Sequence, residues 1–380
     1  MRILIITNNF VREVSYLVRY ATQADPSLQF SVLIPDHAVM EEPLPAAVAK
    51  RKVFFSHHIR MACYSPGLIA EIHACRPEIL HVFEEFSGLI AFQAVFFKNL
   101  VWRKSKTMVY SAENIQGNVG AVFWAPMKYV ANRADLAFVC SQSVKRVLKS
   151  EGFSNPIEVF PLGVDTAKFH KFPVNQLKTQ LNLDGKFVIG YVGRLLEIKG
   201  VFLLIEMMRE LPEHVQILMI GTGAEEKKLW RKVVTDHLEQ RVHLLGSVPY
   251  EQLPQYMNCM DVGIIPSKTS KRWKEQFGRV VVELMSCEVP VIGSASGSIP
   301  EILGETGWLF HENAVQELTN IVKMLIAHRE KRQEAGTRGR ARAIARYSTE
   351  TMGARFLAIY QKLTSGSGGQ MRERSQDMGT

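Results

Sequence analysis

At 380 residues, with 47% hydrophobic and 22% charged residues, the chain is too long for one ordinary core and suits two soluble domains of common size. Its net charge of +9 admits nucleic acid as a partner, but no helix-turn-helix, zinc-finger or aromatic RNP pattern accompanies the basic clusters, so no nucleic-acid partner is expected. Cys63, Cys75, Cys140, Cys259 and Cys287 are odd in number, form no CxxC pair and sit among apolar neighbours. They predict reduced, buried thiols and neither a disulfide framework nor a zinc site.

The apolar run Arg2-Ile3-Leu4-Ile5-Ile6 is too short for a signal peptide and ends in Thr7-Asn8-Asn9, which predicts a first buried parallel strand. Further short β-rich runs follow at Phe30–Ile34, Ile79–Val82, Met108–Tyr110, Leu136–Cys140 and Ile157–Phe160, separated by longer helix-patterned stretches. The second half repeats the alternation at Val188–Val192, Val215–Ile220, Val242–Leu244, Val262–Ile265, Val289–Ile292 and Trp308–Phe310. Such alternation predicts an α/β fold of two doubly wound, Rossmann-like domains. Ligands bind such sheets outside the carboxyl ends of their strands, so the loops at 193–200, 221–223, 246–249, 266–278 and 293–298 are expected to share one rim.

The longest greasy segment, Gly88 to Trp102, is interrupted by Gln93 and Lys98 and falls short of the roughly 20 residues of a spanning helix, so no membrane anchor is expected. Within it Phe92, Val95, Phe96, Leu100 and Trp102 fall partly at helical spacing beside Lys98, Arg103, Lys104 and Lys106. Two readings stay open: a basic-amphipathic segment lying on an anionic membrane surface, or a core crossover helix followed by a solvated basic turn. His81 reads as a core histidine before Glu84-Glu85. Near the end, Thr351 to Leu363 is amphipathic, and the polar stretch beyond it, through Ser365-Gly366-Ser367-Gly368-Gly369 to Thr380, predicts a disordered tail.

The most informative stretch is Trp273 to Cys287, a polar loop that runs into an apolar helix start and sets two carboxylates about a helix N-terminus. Helix N-termini carry unpaired N–H groups and roughly half a positive charge, which suits phosphate. With the helix beginning near Phe277 or Gly278, Glu283 lies about 7–8 Å along its axis and Glu275 stays in the loop. A ligand with a hydroxyl-rich group, a diphosphate and a second diol could touch Glu275, the amides and Glu283 together. That describes a sugar nucleotide.

The paired glutamates enclosing Phe277-Gly278 resemble the signature of the retaining glycosyltransferases of family 4. Gly193-Arg194-Leu195-Leu196-Glu197-Ile198-Lys199-Gly200 is similar to that family's basic phosphate loop, Pro161-Leu162-Gly163-Val164-Asp165 to its domain crossing, and Gly297-Ser298-Ile299-Pro300-Glu301 fits as well. The resemblance implies the GT-B architecture of two facing domains. Residues 1–165 would form the acceptor-side domain, 166–350 the nucleotide-sugar domain, and 351–364 a helix crossing back to the first.

It further implies a hexosyl transfer from a UDP- or GDP-linked sugar to a saccharide or lipid-linked acceptor, in polysaccharide or glycoconjugate synthesis. Arg194 and Lys199 would offset charge on the leaving diphosphate in place of a metal, with no Asp-x-Asp motif present, and Glu275 would face the donor hexose. Gly193, Val248, Phe277, Gly278, Arg279 and Glu283 would bind the donor, Glu283 through the ribose diol. The first half departs from the family: Asn8-Asn9 replaces a glycine-rich loop, and Ser111-Ala112-Glu113-Asn114 stands where many members carry a histidine. Asn8, Asn9, Glu113 and Asn114 are the acceptor-side candidates. No metal or cofactor is expected. The reduced thiols suit a cytoplasmic enzyme, and a lipid-linked acceptor would bring it to the inner membrane face as a peripheral protein. Two smaller departures are Gln276 for a proline and Glu288 for a glycine after the helix. A sugar-nucleotide epimerase or phosphorylase, or a non-catalytic sugar-nucleotide binder, would share these motifs. A dinucleotide oxidoreductase lacks its Gly-x-Gly-x-x-Gly.

Overall fold

A computed structural model describes residues 1–40, 43–58, 60–117 and 119–365. The expected disordered tail therefore lies, beyond Ser365, outside the described residues. The chain divides into two compact units, Met1–Gly163 with Thr349–Thr380, and Val164–Ser348.

In the first unit the strands are β1 (Arg2–Ile6), β2 (Gln29–Pro35), β3 (Ala47–Arg51), a small antiparallel pair β4 (Val53–Phe54) and β5 (Cys63–Tyr64), then β6 (Ile79–Glu85), β7 (Lys106–Ser111), β8 (Leu136–Val139) and β9 (Ile157–Val159). All but the small pair join one parallel sheet in the order β3-β2-β1-β6-β7-β8-β9. Its centre is apolar on both faces because helices cover both: Ile3, Ile5, Ile79, Val109 and Phe138 are fully buried. The helices are α1 (Val11–Ala24), α2 (Leu68–Cys75), α3 (Leu89–Val101), α4 (Ala121–Ala131) and α5 (Gln142–Ser150). The second unit adds α6 (Asn175–Gln180), α7 (Val201–Met208), α8 (Glu226–Thr235), α9 (Leu253–Met257), α10 (Arg279–Ser286), α11 (Ile299–Leu303), α12 (Val315–Ala327) and α13 (Arg329–Tyr347). The final helix, α14 (Thr349–Thr364), packs on α1 in the first unit, with Gly353 seated against the Tyr20 ring. His81 on β6 reaches the Tyr360 hydroxyl of α14 at 2.6 Å, and burial pushes its imidazole down to about 3. It is the core histidine that its sequence context suggests.

The second unit's sheet is wholly parallel: β10 (Phe187–Val192), β11 (Val215–Ile220), β12 (Val242–Leu244), β13 (Val262–Ile265), β14 (Val291–Ser294) and β15 (Trp308–Phe310), in the order β12-β11-β10-β13-β14-β15. In both sheets the chain first runs outward on one side of its first strand and then returns to the other. The order thus reverses between β1 and β6, and between β10 and β13. Loops leaving the carboxyl ends of strands at such a reversal diverge and open a crevice for ligand.

Two expectations are corrected, and one choice left open by the sequence is decided. Strands β3, β4 and β5 carry no sequence signal: Ala47–Arg51 is an exposed, basic edge, the composition that protects an edge strand from pairing elsewhere. Cys63 and Cys75 are half-buried, while Cys140, Cys259 and Cys287 are buried as expected, and all five are free. The greasy segment after Gly88 forms α3, a crossover helix with Val95 and Lys98 buried, and the Lys98 ammonium donates to the Ser105 carbonyl and the Thr107 hydroxyl. Lys98 therefore cannot face a membrane.

Candidate active site

In the second unit the loops at the strand ends are stitched into one rim through their backbones. Gly221 N–H donates to the Gly246 carbonyl at 2.7 Å, Leu195 N–H to Thr222 at 2.9 Å, Lys268 N–H to Ile198 at 2.8 Å, and Ser298 N–H to Glu275 at 3.0 Å. The last contact explains a small residue at position 297: Gly297 has φ +57°, and a Cβ there would overlap the Glu275 carbonyl oxygen. The loops expected at one rim are together.

At the reversal point the β10 loop supplies Lys199 and the β13 loop supplies Ser267, Trp273 and Glu275. Lys199 Nζ and Ser267 Oγ both donate to Glu275 Oε2, each at 2.7 Å. The same ammonium lies 4.5 Å from the Trp273 ring centroid. Glu275 is only 8% exposed, so its charge is held by this pair rather than by water. Burial, and then the Glu275 charge, push the nearby Tyr191 hydroxyl up, and that hydroxyl donates to the Arg194 carbonyl at 2.7 Å. The Arg194 side chain is exposed at the rim.

Helix α10 starts at Arg279, one residue later than its loop suggests, because Gly278 at φ +76° caps it in the left-handed region. The Phe277 ring turns into the core, 4% exposed and edge-on to Tyr347, so only its backbone is left for a ligand. Glu283 is 2% exposed, and its Oε1 accepts from the Tyr250 hydroxyl at 3.0 Å. Val248 is half-buried in the loop between β12 and Tyr250. Glu288, beyond the helix, adopts φ +58°, the left-handed conformation that a glycine would suit better.

The first unit gathers its own polar cluster at its reversal point. Glu84, 2% exposed at the end of β6, accepts Asn8 N–H at 2.6 Å, Asn9 N–H at 2.5 Å, the Asn9 amide at 3.0 Å and the Thr7 hydroxyl at 3.2 Å. The amides of the loop after β1 are thus engaged from inside. Burial raises the Glu84 carboxyl against these hydrogen bonds. Its neighbour Glu85 accepts from the Ser111 hydroxyl and Ala112 N–H, both at 2.9 Å, and burial pushes it up to about 7. Glu113 pairs with Arg60 at 2.6 Å and accepts Ile115 N–H at 3.1 Å, so it closes its own turn; Asn114 beside it is buried. Among the described residues no group of three or more His, Cys, Asp or Glu side chains is gathered for a metal ion.

Two family models match in succession: "Glycosyl transferases group 1" over residues 174–342 and "Glycosyltransferase Family 4" over residues 15–168. The chain belongs to glycosyltransferase family 4. Among relatives of this family 4 protein, the sulfoquinovosyl transferase SQD2 of Arabidopsis thaliana is 27% identical over 73% of the chain and 55% of its own length. A GDP-mannose-dependent monoacylated phosphatidylinositol monomannoside mannosyltransferase of Corynebacterium glutamicum is 31% identical over 62% of the chain and 64% of its own length. The matched part of the chain spans less than two thirds of these relatives. Among solved structures, Anabaena HepE in complex with UDP has a TM-score of 0.77 at 20% identity, covering 95% of this chain and 100% of that one. At that identity the likeness carries the GT-B fold of two Rossmann-like domains. Residues the sequence did not single out for the site are Ser267, Tyr250, Glu84 and Arg60. Only Glu84 had a visible signal, as a carboxylate two residues past a predicted strand.

Proposed function

We propose that the protein is a metal-independent, retaining glycosyltransferase that moves a hexosyl group from a UDP- or GDP-linked sugar to a saccharide or lipid-linked saccharide, on the cytoplasmic side of the cell. The observation that carries this reading is the meeting of Lys199 and Glu275 at the reversal point of the second sheet, beside Arg194 and the start of α10. In the transfer the bond from the anomeric carbon to the β-phosphate oxygen breaks and a bond from that carbon to an acceptor oxygen forms. The hydroxyl proton passes to the departing phosphate. Charge therefore grows on the diphosphate, where Lys199, Arg194 and the amides at Gly278 and Arg279 offset it.

Glu275 accepts from hexose hydroxyls and Glu283 from the ribose diol, while Gly193 and Val248 border the nucleotide through their backbones. Asn8, Asn9, Glu113 and Asn114 line the acceptor side. The reading is supported by the GDP-mannose dependence named for the Corynebacterium relative and by the UDP-glucose complex of HepE. Calorimetry with UDP and GDP, followed by product analysis of labelled UDP-glucose and GDP-mannose with and without candidate acceptors, tests it. Transfer of label to acceptor with retained configuration is expected. An epimerised free nucleotide sugar, or a sugar phosphate formed with inorganic phosphate, would overturn it.

A further inference from the structure

Beside the sheet of the first unit, helix α4 turns apolar residues outward. Val122 is 82% and Trp124 50% exposed, while Met127 and Val130 on the opposite side anchor the helix to the core. The neighbouring helix α3 extends the same surface with Phe96, 42% exposed, and Leu100, 63% exposed. The two helices pack through the rings of Phe92 and Phe96 against Tyr129, at 5.3 and 6.0 Å between centroids. Single exposed apolar residues are ordinary on a soluble protein; a run of them across two packed helices is a patch.

The charges around this patch are mainly positive, with Asp135 taken up by Lys106 at 2.9 Å. Lys128 Nζ lies 3.7 Å from the Trp124 ring centroid and the Arg133 guanidinium 3.8 Å from that of Tyr129, with Arg103 and Lys104 exposed at the end of α3. Among the described residues none of these four cations has a carboxylate partner. From Phe86 to Ala134 the sequence holds a single carboxylate, Glu113, which is paired with Arg60. A protein partner would have to match both a ring of cations and a protruding indole. A bilayer surface rich in anionic lipid presents phosphates over acyl chains, and tryptophan side chains favour that boundary.

We propose that the outer faces of α4 and of the C-terminal half of α3 seat the protein on an anionic bilayer, with Val122, Trp124 and Leu100 entering the headgroup region and Lys128, Arg133, Arg103 and Lys104 contacting lipid phosphates. The stripe differs from the one its sequence suggests, since Val95 and Lys98 point into the core and the Trp102 indole donates to the Pro77 carbonyl. The inference extends the lipid-linked acceptor of the proposed function, yet vesicle binding and donor binding are measured separately, so either can fail alone.

The test is co-sedimentation of the full chain with phosphatidylglycerol-containing and with pure phosphatidylcholine vesicles. Binding to the anionic vesicles alone is expected, weakening as salt is raised. Trp124→Ser and the pair Lys128→Ser with Arg103→Ser should each reduce it about tenfold or more while leaving UDP and GDP affinity unchanged. Trp230→Ser, at an exposed tryptophan of the second unit with 42% exposure, should leave vesicle binding unaltered. Equal recovery in the supernatant with both vesicle types, or equal losses for Trp124→Ser and Trp230→Ser, would overturn the proposal. A lipid-independent dimer that Trp124→Ser dissolves would assign the face to self-association and overturn it as well.

Discussion

The Tyr250 hydroxyl donates to Glu283 Oε1 across 3.0 Å, fixing a carboxylate that is 2% exposed on a helix it does not share. A buried carboxylate left without such a donor would have to reorient, so Tyr250 sets the direction in which Glu283 meets a ligand diol. Glu283→Ala should weaken nucleotide binding by about 1–3 kcal/mol and Tyr250→Phe by about 0.5–1.5 kcal/mol. Both losses should shrink for 2′-deoxy-UDP, which lacks half of the diol. Calorimetry showing the same loss for UDP and its deoxy form would separate these residues from ribose recognition.

Lys199 and Ser267 converge on one oxygen of Glu275. Removing the ammonium takes the paired cation from a carboxylate of 8% exposure, and strips positive charge from the site of the leaving diphosphate. Lys199→Ala should lower turnover by about 10²–10³, the loss typical of a transition-state donor, and Ser267→Ala by less. Excess chelator should leave wild-type turnover unchanged. Strict dependence on Mg²⁺ or Mn²⁺ would contradict the assigned role of Lys199 and Arg194.

Much of this arrangement was legible because parallel strands are buried on both faces and read as continuous apolar runs: every strand of the second sheet was recognisable, with Val289–Ile292 displaced by two residues from the observed Val291–Ser294. Lys199 and Glu275 were legible as motif residues, but not as partners, since their separation of 76 residues closes only through the reversal between β10 and β13. Tyr250 and Ser267 lie in loops whose residue types are common on any surface. Their value arises from hydrogen bonds to Glu283 and Glu275, made in the folded chain, which have no period in sequence. For α3 the sequence left a surface helix and a core crossover both open, and the choice turned on two oxygen acceptors that Lys98 finds inside, which have no signature in sequence.

Glu85 and His81 give stability opposite pH slopes. Burial holds the Glu85 carboxyl at about 7 in the folded protein, above its ordinary 4.5, so between these values the unfolded chain releases a proton that the folded one keeps, and stability falls as pH rises. The slope from one such group is at most about 1.4 kcal/mol per pH unit. His81 is held at about 3 against an ordinary 6.5, so its contribution is complete above 6.5 and falls as pH drops towards 3. The two offset each other from 4.5 to 6.5. The stability of Glu85→Gln minus that of wild type should accordingly rise from pH 4.5 to 7 and level off beyond, measured by urea unfolding at each pH. A difference independent of pH would mean that Glu85 is solvated.

Gly297 and Gly185 share a left-handed backbone, at φ +57° and +66°, and differ in what surrounds them. A Cβ at Gly185 meets nothing within 4 Å, whereas one at Gly297 overlaps the Glu275 carbonyl oxygen that accepts the Ser298 N–H. Gly185→Ala should therefore cost only the conformational strain, about 1 kcal/mol, and leave nucleotide affinity intact. Gly297→Ala carries the same strain and must also push the Glu275 loop away from the β14 loop, so its cost should exceed about 2 kcal/mol. Because Glu275 holds Lys199, that displacement should reduce sugar-nucleotide affinity as well. Denaturant unfolding and calorimetry on both variants decide the matter: equal destabilisation with unchanged affinity would show that the loop yields freely and that the close approach at Gly297 does not hold Glu275 in place.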